Sequence, residues 1–520
     1  MFDVLICGGE VLDGSGAPAR RADVAIAGDR IAALGDLAAA AAHTVMRADG
    51  RLVCPGFIDV HSHSDTFLLL EPSAPSKIFQ GVTTEIVGNC GASTAPRTGA
   101  YKLPSDWCDQ RYPGAWSSVA EYRTLLAQVR PAVNVVLLIG HNAIRAGVIG
   151  YAARPAQPAE IRAMATLFER ALDEGGAGLS TGLIYTPGRY AAPEEIRALA
   201  AVAARRGKIY TSHMRSEGDR LLEALDETLA LARTTGVRVE ISHLKTAGRR
   251  HWHKVDAALD KIRAARAAGL AVAADRYPYT ASCTDLDVIL PDWAAGDGRE
   301  AVLARLRDPA TRQRLRDDLQ ARRTADDWQE IMVGALTRPD LAHFRGRWLC
   351  DIAVELGLEP VDAALHLLDV DELKPSAIFF GMSEENLWKI FAEPWVMAGS
   401  DASIRAPTGP LSADFPHPRA YGTFPRLLRA ALDGQTVPLP EMIRKMTSLP
   451  ADHFRLPGRG RLAPGAFADV VVFDPQTVRD RATYAEPHQF AAGISAVLVN
   501  GRPALLDGQF TGDRAGRFIA

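Results

Sequence analysis

The strongest constraint on the fold is a rhythm: across the middle of the chain, short apolar runs of strand length alternate with Ala-, Leu- and Arg-rich stretches of helix length. The runs are Phe57-Ile58-Asp59-Val60, Thr84-Glu85-Ile86-Val87, 134–139, 177–180, 208–211, 238–241, 270–274 and 395–398. Strands buried on both faces read as near-continuous apolar residues, and a crossover of a dozen or more residues is needed to return the chain to a parallel neighbour. Helical crossovers are expected at 158–173, 193–206, 219–235 and 254–268. Eight such runs predict an α/β chain whose parallel strands close into a barrel.

Two regions break the rhythm. The interval 283–394 is too long for one crossover, carries helix-like sequence at 299–319 and 359–368, and is expected to insert a subdomain above the barrel before its last strand. A surface or oligomer-contact module is the plainer reading of the same interval. Strand-like pieces at 3–6, 24–27 and 30–34 surround the turn sequence Asp13-Gly14-Ser15-Gly16, and similar pieces return at 468–474 and 497–505. Neither set builds a well-buried sheet alone, so the termini are expected to combine into one small β domain. The expected organisation is therefore 1–56 as its N-terminal part, 57–430 as the barrel with its insertion, and 431–520 as a linker helix and the C-terminal part.

Charge and cysteine usage narrow the partners. Lys and Arg number 59 against 62 Asp and Glu, a formal net charge of -3, with no long block of either sign to draw nucleic acid or an anionic bilayer. Cys7, Cys54, Cys90, Cys108, Cys283 and Cys350 form no close-spaced disulfide or zinc-finger pattern and are scattered as in a reducing compartment. The first residues lack a basic start and a long apolar core, and no later stretch approaches the ~18 uncharged apolar residues of a membrane span. A cytoplasmic protein that binds neither nucleic acid nor membrane is expected, with homo-oligomerisation left open.

Polar residues cluster where the runs end. On an extended strand His61 and His63 face one side and Ser62 the other, so two imidazole nitrogens can meet one metal. Cys90 lies between glycines in Val87-Gly88-Asn89-Cys90-Gly91; inert packing and a soft thiolate ligand both fit it. His213 follows 209–211 and His243 follows 239–242, and for each alone a structural hydrogen bond fits as well as a metal. Their repetition at the ends of consecutive strands favours one shared site. Asp401 follows 397–400, where it suits either a helix cap or a general base working beside a metal.

Taken with the segments around them, these residues resemble the amidohydrolase superfamily and, more narrowly, the D-aminoacylases, or N-acyl-D-amino-acid deacylases. The resemblance runs over nearly the whole chain: Cys54-Pro55-Gly56-Phe57-Ile58-Asp59-Val60-His61-Ser62-His63, Gly88-Asn89-Cys90-Gly91, Ser180-Thr181-Gly182-Leu183-Ile184-Tyr185-Thr186-Pro187-Gly188, Thr211-Ser212-His213-Met214-Arg215, Ile241-Ser242-His243-Leu244-Lys245, Asp275-Arg276-Tyr277-Pro278-Tyr279-Thr280, Gly399-Ser400-Asp401 and Pro416-His417-Pro418-Arg419-Ala420-Tyr421-Gly422. It implies a distorted TIM (β/α)8 barrel with a small β domain. It also implies a tightly bound zinc on Cys90, His213 and His243, with His61, His63 and Asp401 around it and able to host a second, weaker metal. Cys90 then stands where relatives with two strong metals carry a bridging carboxylated lysine.

The implied activity is zinc-dependent hydrolysis of an N-acyl-D-amino acid to a carboxylate and a free D-amino acid, with Asp401 as acid and base. The implied partner is a small molecule with a free carboxylate, held by Tyr185, Lys245, Tyr277 and Ser282, with Tyr279 the alternative to Tyr277. A dipeptidase acting on L-Xaa-D-Xaa substrates shares this chemistry, a cyclic-amide hydrolase fits less well because of Cys90, and a non-catalytic binding barrel is the reading from another class. Ala402, where relatives commonly carry glycine, and the segment 404–410 depart from the family pattern beside Asp401.

Overall fold

Eight parallel strands surround the molecule's axis in the computed structural model, which describes residues 1–104, 107, 110–435 and 437–520; Cys108 lies outside the described residues. They are β1 (Phe57–Asp59), β2 (Val82–Val87), β3 (Asn134–Leu137, continued by Ile139–Gly140), β4 (Gly178–Gly182), β5 (Ile209–His213), β6 (Arg238–Ile241), β7 (Val272–Arg276) and β8 (Val396–Ala398). Each pairs in parallel with the next, and a parallel bridge between Ser62 and Ala402 joins the end of β8 to that of β1. The barrel is distorted at β3. Its first half pairs with the C-terminal strand Phe518–Ile519, and only its second half pairs with β4.

The crossovers begin where local chemistry favours it. The helix α1 (Pro158–Asp173) opens on a proline and a capping box between Gln157 and Glu160, and α2 (Pro193–Arg205) opens on Pro193 with Glu194 and Glu195 in its first turn. Proline lacks the N–H that would go unsatisfied there, and acidic groups oppose the positive end of the helix dipole. Leu221–Thr235 (α3) and Val255–Ala267 (α4) supply the next two crossovers. Inside the barrel, Ile58, Ile86, Val136, Ile209, Ala273 and Met397 form one apolar layer, closed by Ala451, Phe454 and Leu456 from the 448–456 segment.

The interval 283–394 divides in two. Ala281–Asp285, Ser376–Phe380 and Ile331–Val333 form a three-stranded antiparallel sheet, packed with the intervening helices around a core that includes Leu306, Val333, Leu349 and Leu365. Glu384–Ala392 (α5) instead packs on α4, β7 and β8 as a crossover of the barrel wall. Outside the barrel, Val470–Phe473 lies antiparallel between Leu52–Pro55 and Ile494–Val499, so segments from both ends of the chain share one seven-stranded sheet. Among the described residues, no helix is long and apolar enough to cross a membrane.

Candidate metal centre

The C-terminal ends of the strands open into a cavity of about 1220 Å³ roofed by the insertion, a volume suited to a small-molecule ligand. His61 Nε2 lies 3.2 Å from Cys90 Sγ and 3.4 Å from Asp401 Oδ1. His243 Nε2 lies 3.5 Å from the same sulfur, and His63 Nε2 lies 3.1 Å from Asp401 Oδ1. The rings of His213 and His243 stand 4.4 Å apart. Loops from β1, β2, β6 and β8 and the end of β5 have thus brought all six expected ligands together.

The donor set fits a metal. Two clusters have ligand atoms close enough to share an ion: a buried one of His61, Cys90, His243 and Asp401, and one of His213, Glu217 and His243 in which Glu217 is half-buried. Both ring nitrogens of His213 are buried and meet no hydrogen-bond partner among the described residues, a costly arrangement unless another group satisfies one of them. A thiolate with imidazoles and a carboxylate is a zinc-type set, and tetrahedral bonds of about 2.0–2.3 Å place neighbouring donors about 3.5 Å apart.

Charges inside the cluster reinforce one another. Burial alone raises a thiol, but the imidazoles of His61, His213 and His243 hold Cys90 well below the ordinary thiol value. Burial likewise opposes the Asp401 carboxylate, yet Arg419, followed by His243 and His61, holds it well below the usual range. Arg419 Nη1 donates to Asp401 Oδ2 at 2.7 Å. His63 is raised to about 9 because its hydrogen bond to Asp401 and the charge of Cys90 outweigh burial. For His213 burial prevails and the pKa falls.

Behind the expected ligands stand carboxylates that orient them. Asp275 on β7 accepts from His61 Nδ1 at 3.0 Å and from the backbone N–H of His243 at 3.0 Å, which aims His61 Nε2 at Cys90 and Asp401. A side chain at Gly399 would bring its Cβ to 2.8 Å from Asp275 Oδ1 and 2.7 Å from His61 Cβ, so only glycine passes there. Buried Lys77 donates to Asp59 Oδ2 at 2.7 Å, Ser400 Oγ at 2.9 Å and Ala402 O at 2.9 Å, fixing the turn that carries Asp401 to β1.

The expected carboxylate anchor is less uniform. Tyr185, Lys245 and Ser282 line the cavity, with Tyr185 Oη 3.1 Å from Thr284 Oγ1 and Lys245 ion-paired to Glu217. Tyr277 is fully buried; its hydroxyl meets no hydrogen-bond partner among the described residues, and its ring meets Arg276, Arg419 and Lys245 at 4.2, 4.6 and 5.9 Å. Tyr279 turns away, donating to Asp480 Oδ2 at 3.3 Å. Glu217, Asp275 and Arg419 were not singled out by sequence reasoning. Glu217 had a usable signal, standing four residues after His213, whereas Asp275 reads as an ordinary strand residue.

Comparison with known proteins points to one family. The D-aminoacylase of Alcaligenes xylosoxydans xylosoxydans is 40% identical over 522 residues, covering 100% of this chain and 98% of its own. The N-acyl-D-glutamate deacylase of the same organism is 39% identical, covering 96% of this chain and 93% of its own. The crystal structure of N-acyl-D-glutamate deacylase from Bordetella bronchiseptica, complexed with zinc and a phosphonate inhibitor that mimics the tetrahedral intermediate, superposes with a TM-score of 0.85 at 36% identity, covering 100% of this chain and 99% of its own. An L-hydantoinase from Arthrobacter aurescens, 16% identical with a TM-score of 0.54, shares the fold alone. The sequence profile of the amidohydrolase family matches residues 44–505, and with relatives this similar over their full lengths the chain belongs to that family, close to its D-aminoacylases and N-acyl-D-amino-acid deacylases.

Proposed function

We propose that the protein hydrolyses the amide bond of N-acyl-D-amino acids, releasing a carboxylate and a free D-amino acid. The observation that carries this reading is the Cys90 thiolate packed against His61 and His243 with ionised Asp401 beside them, at the floor of a small-molecule cavity. Cys90, His213 and His243 would hold zinc tightly, with His61, His63 and Asp401 forming the flank for a weaker second ion. When bound, zinc supplies Lewis-acid chemistry, polarising the amide carbonyl and acidifying water.

The chain's own groups do the rest. Asp401 takes the proton of the attacking water at Oδ1, while Arg419 keeps Oδ2 charged and fixed at 2.7 Å. The same carboxyl then returns that proton to the departing nitrogen, which would otherwise leave as a poor amide anion. Lys245, Ser282, Tyr185 and Tyr277 make up the anchor for the substrate carboxylate, supported by the cationic surroundings of the Tyr277 ring. A reducing, cytoplasmic setting belongs to the same proposal, since a thiolate ligand must stay reduced.

The test is a panel on zinc-replete protein: N-acetyl-D-leucine, N-acetyl-D-glutamate, N-acetyl-D-aspartate and an L-Xaa-D-Xaa dipeptide. Release of the free D-amino acid from at least one N-acetyl substrate is expected. Turnover confined to the dipeptide would replace the deacylase with a dipeptidase.

A further inference from the structure

Glu217 is a half-buried acid to which the chemistry above gives no part. Its side chain is 14% exposed, and it stands in the loop after β5. Oε1 lies 2.8 Å from His243 Nδ1 and pairs with Lys245 Nζ, while Oε2 lies 3.8 Å from His213 Nε2. One carboxylate therefore touches two expected zinc ligands and the expected substrate anchor.

The consequence lies in the tautomer of His243. Its Nε2 faces Cys90 at 3.5 Å, so ligation from this side needs the lone pair on Nε2 and the hydrogen on Nδ1. Two groups compete for Nδ1. Lys245 Nζ, at 2.8 Å, can only donate, which would put the imidazole hydrogen on Nε2 and point it at the sulfur. The Glu217 carboxylate, at 2.8 Å, can only accept and selects the opposite tautomer. By also engaging the ammonium, Glu217 diverts Lys245 from the imidazole.

We propose that Glu217 is a positioning residue that fixes His243 for the metal and Lys245 for the substrate carboxylate at once. The metal half of this inference stands on geometry, and the substrate half rests on the deacylase reading. With Glu217→Gln the carboxamide can donate as well as accept and no longer balances Lys245, so both neighbours lose their fixed arrangement.

The experiment is competition with a chromophoric zinc chelator on wild type, Glu217→Gln and Glu217→Asp, with thermal unfolding to verify folding and steady-state kinetics on N-acetyl-D-amino acids. Glu217→Gln is expected to weaken tight zinc binding about 10- to 100-fold, the range for loss of a carboxylate behind a ligating histidine. It is also expected to raise KM more than it lowers kcat in zinc-saturated protein, and Glu217→Asp should recover part of both. Zinc affinity within about twofold of wild type in a folded Glu217→Gln protein overturns the proposal. Loss of one equivalent of weakly held zinc with the tight site unchanged also overturns it, assigning Glu217 as a direct ligand of a second ion. A wild type that hydrolyses no N-acyl-D-amino acid would defeat the deacylase reading while the zinc competition still decides the role of Glu217.

Discussion

Cys90, His243 and Asp401 have φ values of 52°, 38° and 52°, the left-handed region that costs non-glycine residues about 1–2 kcal/mol each. Each sits in the turn after a strand, and the reversal there brings its side chain to the shared centre. The surroundings that impose these conformations, including Gly399, Asp275 and Lys77, spend stability on aiming ligands. Cys90→Ala is expected to lose most zinc by metal analysis together with activity, because no other thiolate reaches the cluster among the described residues. Asp401→Asn is expected to retain the tight zinc while kcat falls by about 10²- to 10⁴-fold, the contribution of a positioned acid–base group. The six expected ligands could be placed at strand ends from sequence because each follows an apolar run. Arg419 could not, since it lies 18 positions along an irregular stretch of chain from the carboxylate it charges, and only folding makes that contact.

At the scale of elements, crossovers with a proline start and an amphipathic body were legible almost to the residue, as at Pro158–Asp173 and Pro193–Arg205. Glu384–Ala392 was not separable from the insertion, because an amphipathic helix does not say which surface it will cover; packing on β7 and β8 decides that. The split of β3 was equally hidden, as it depends on a strand nearly 400 residues away. The helix Ser448–Phe454 under the barrel carries a testable consequence. His453 shares a 3.1 Å hydrogen bond between Nε2 and Val239 O, and burial, aided by Arg238, lowers its pKa to about 3. The unfolded chain takes up that proton near 6.5, so the stability it contributes is full above that pH and is lost as pH falls from 6.5 towards 3, at up to about 1.4 kcal/mol per unit. His453→Gln keeps a donor without titrating, and its Tm is expected to fall less than that of wild type between pH 7 and 5; parallel curves would contradict this.

Over the whole molecule, three parts meet at the cavity mouth. The barrel aims the expected ligands, the strand Ala281–Asp285 at the start of the insertion brings Ser282 and Thr284 to the cavity lining, and the long loop after β8 leads into the helix bearing Arg419, whose Nη2 also donates to the insertion at Cys283 O, 3.0 Å away. Asp401, the proposed proton carrier, is therefore held by a residue that the insertion in turn holds in place. The sheet shared by both ends of the chain lies outside this arrangement and packs around its own core. The central claim is that this assembly makes a zinc-dependent, D-selective deacylase, and the most direct measurement compares hydrolysis of N-acetyl-D-leucine with that of N-acetyl-L-leucine by zinc-replete and chelator-stripped protein. Turnover of the D-enantiomer that vanishes on stripping and returns with zinc is the expected result; preference for the L-enantiomer, or activity indifferent to zinc, would contradict it.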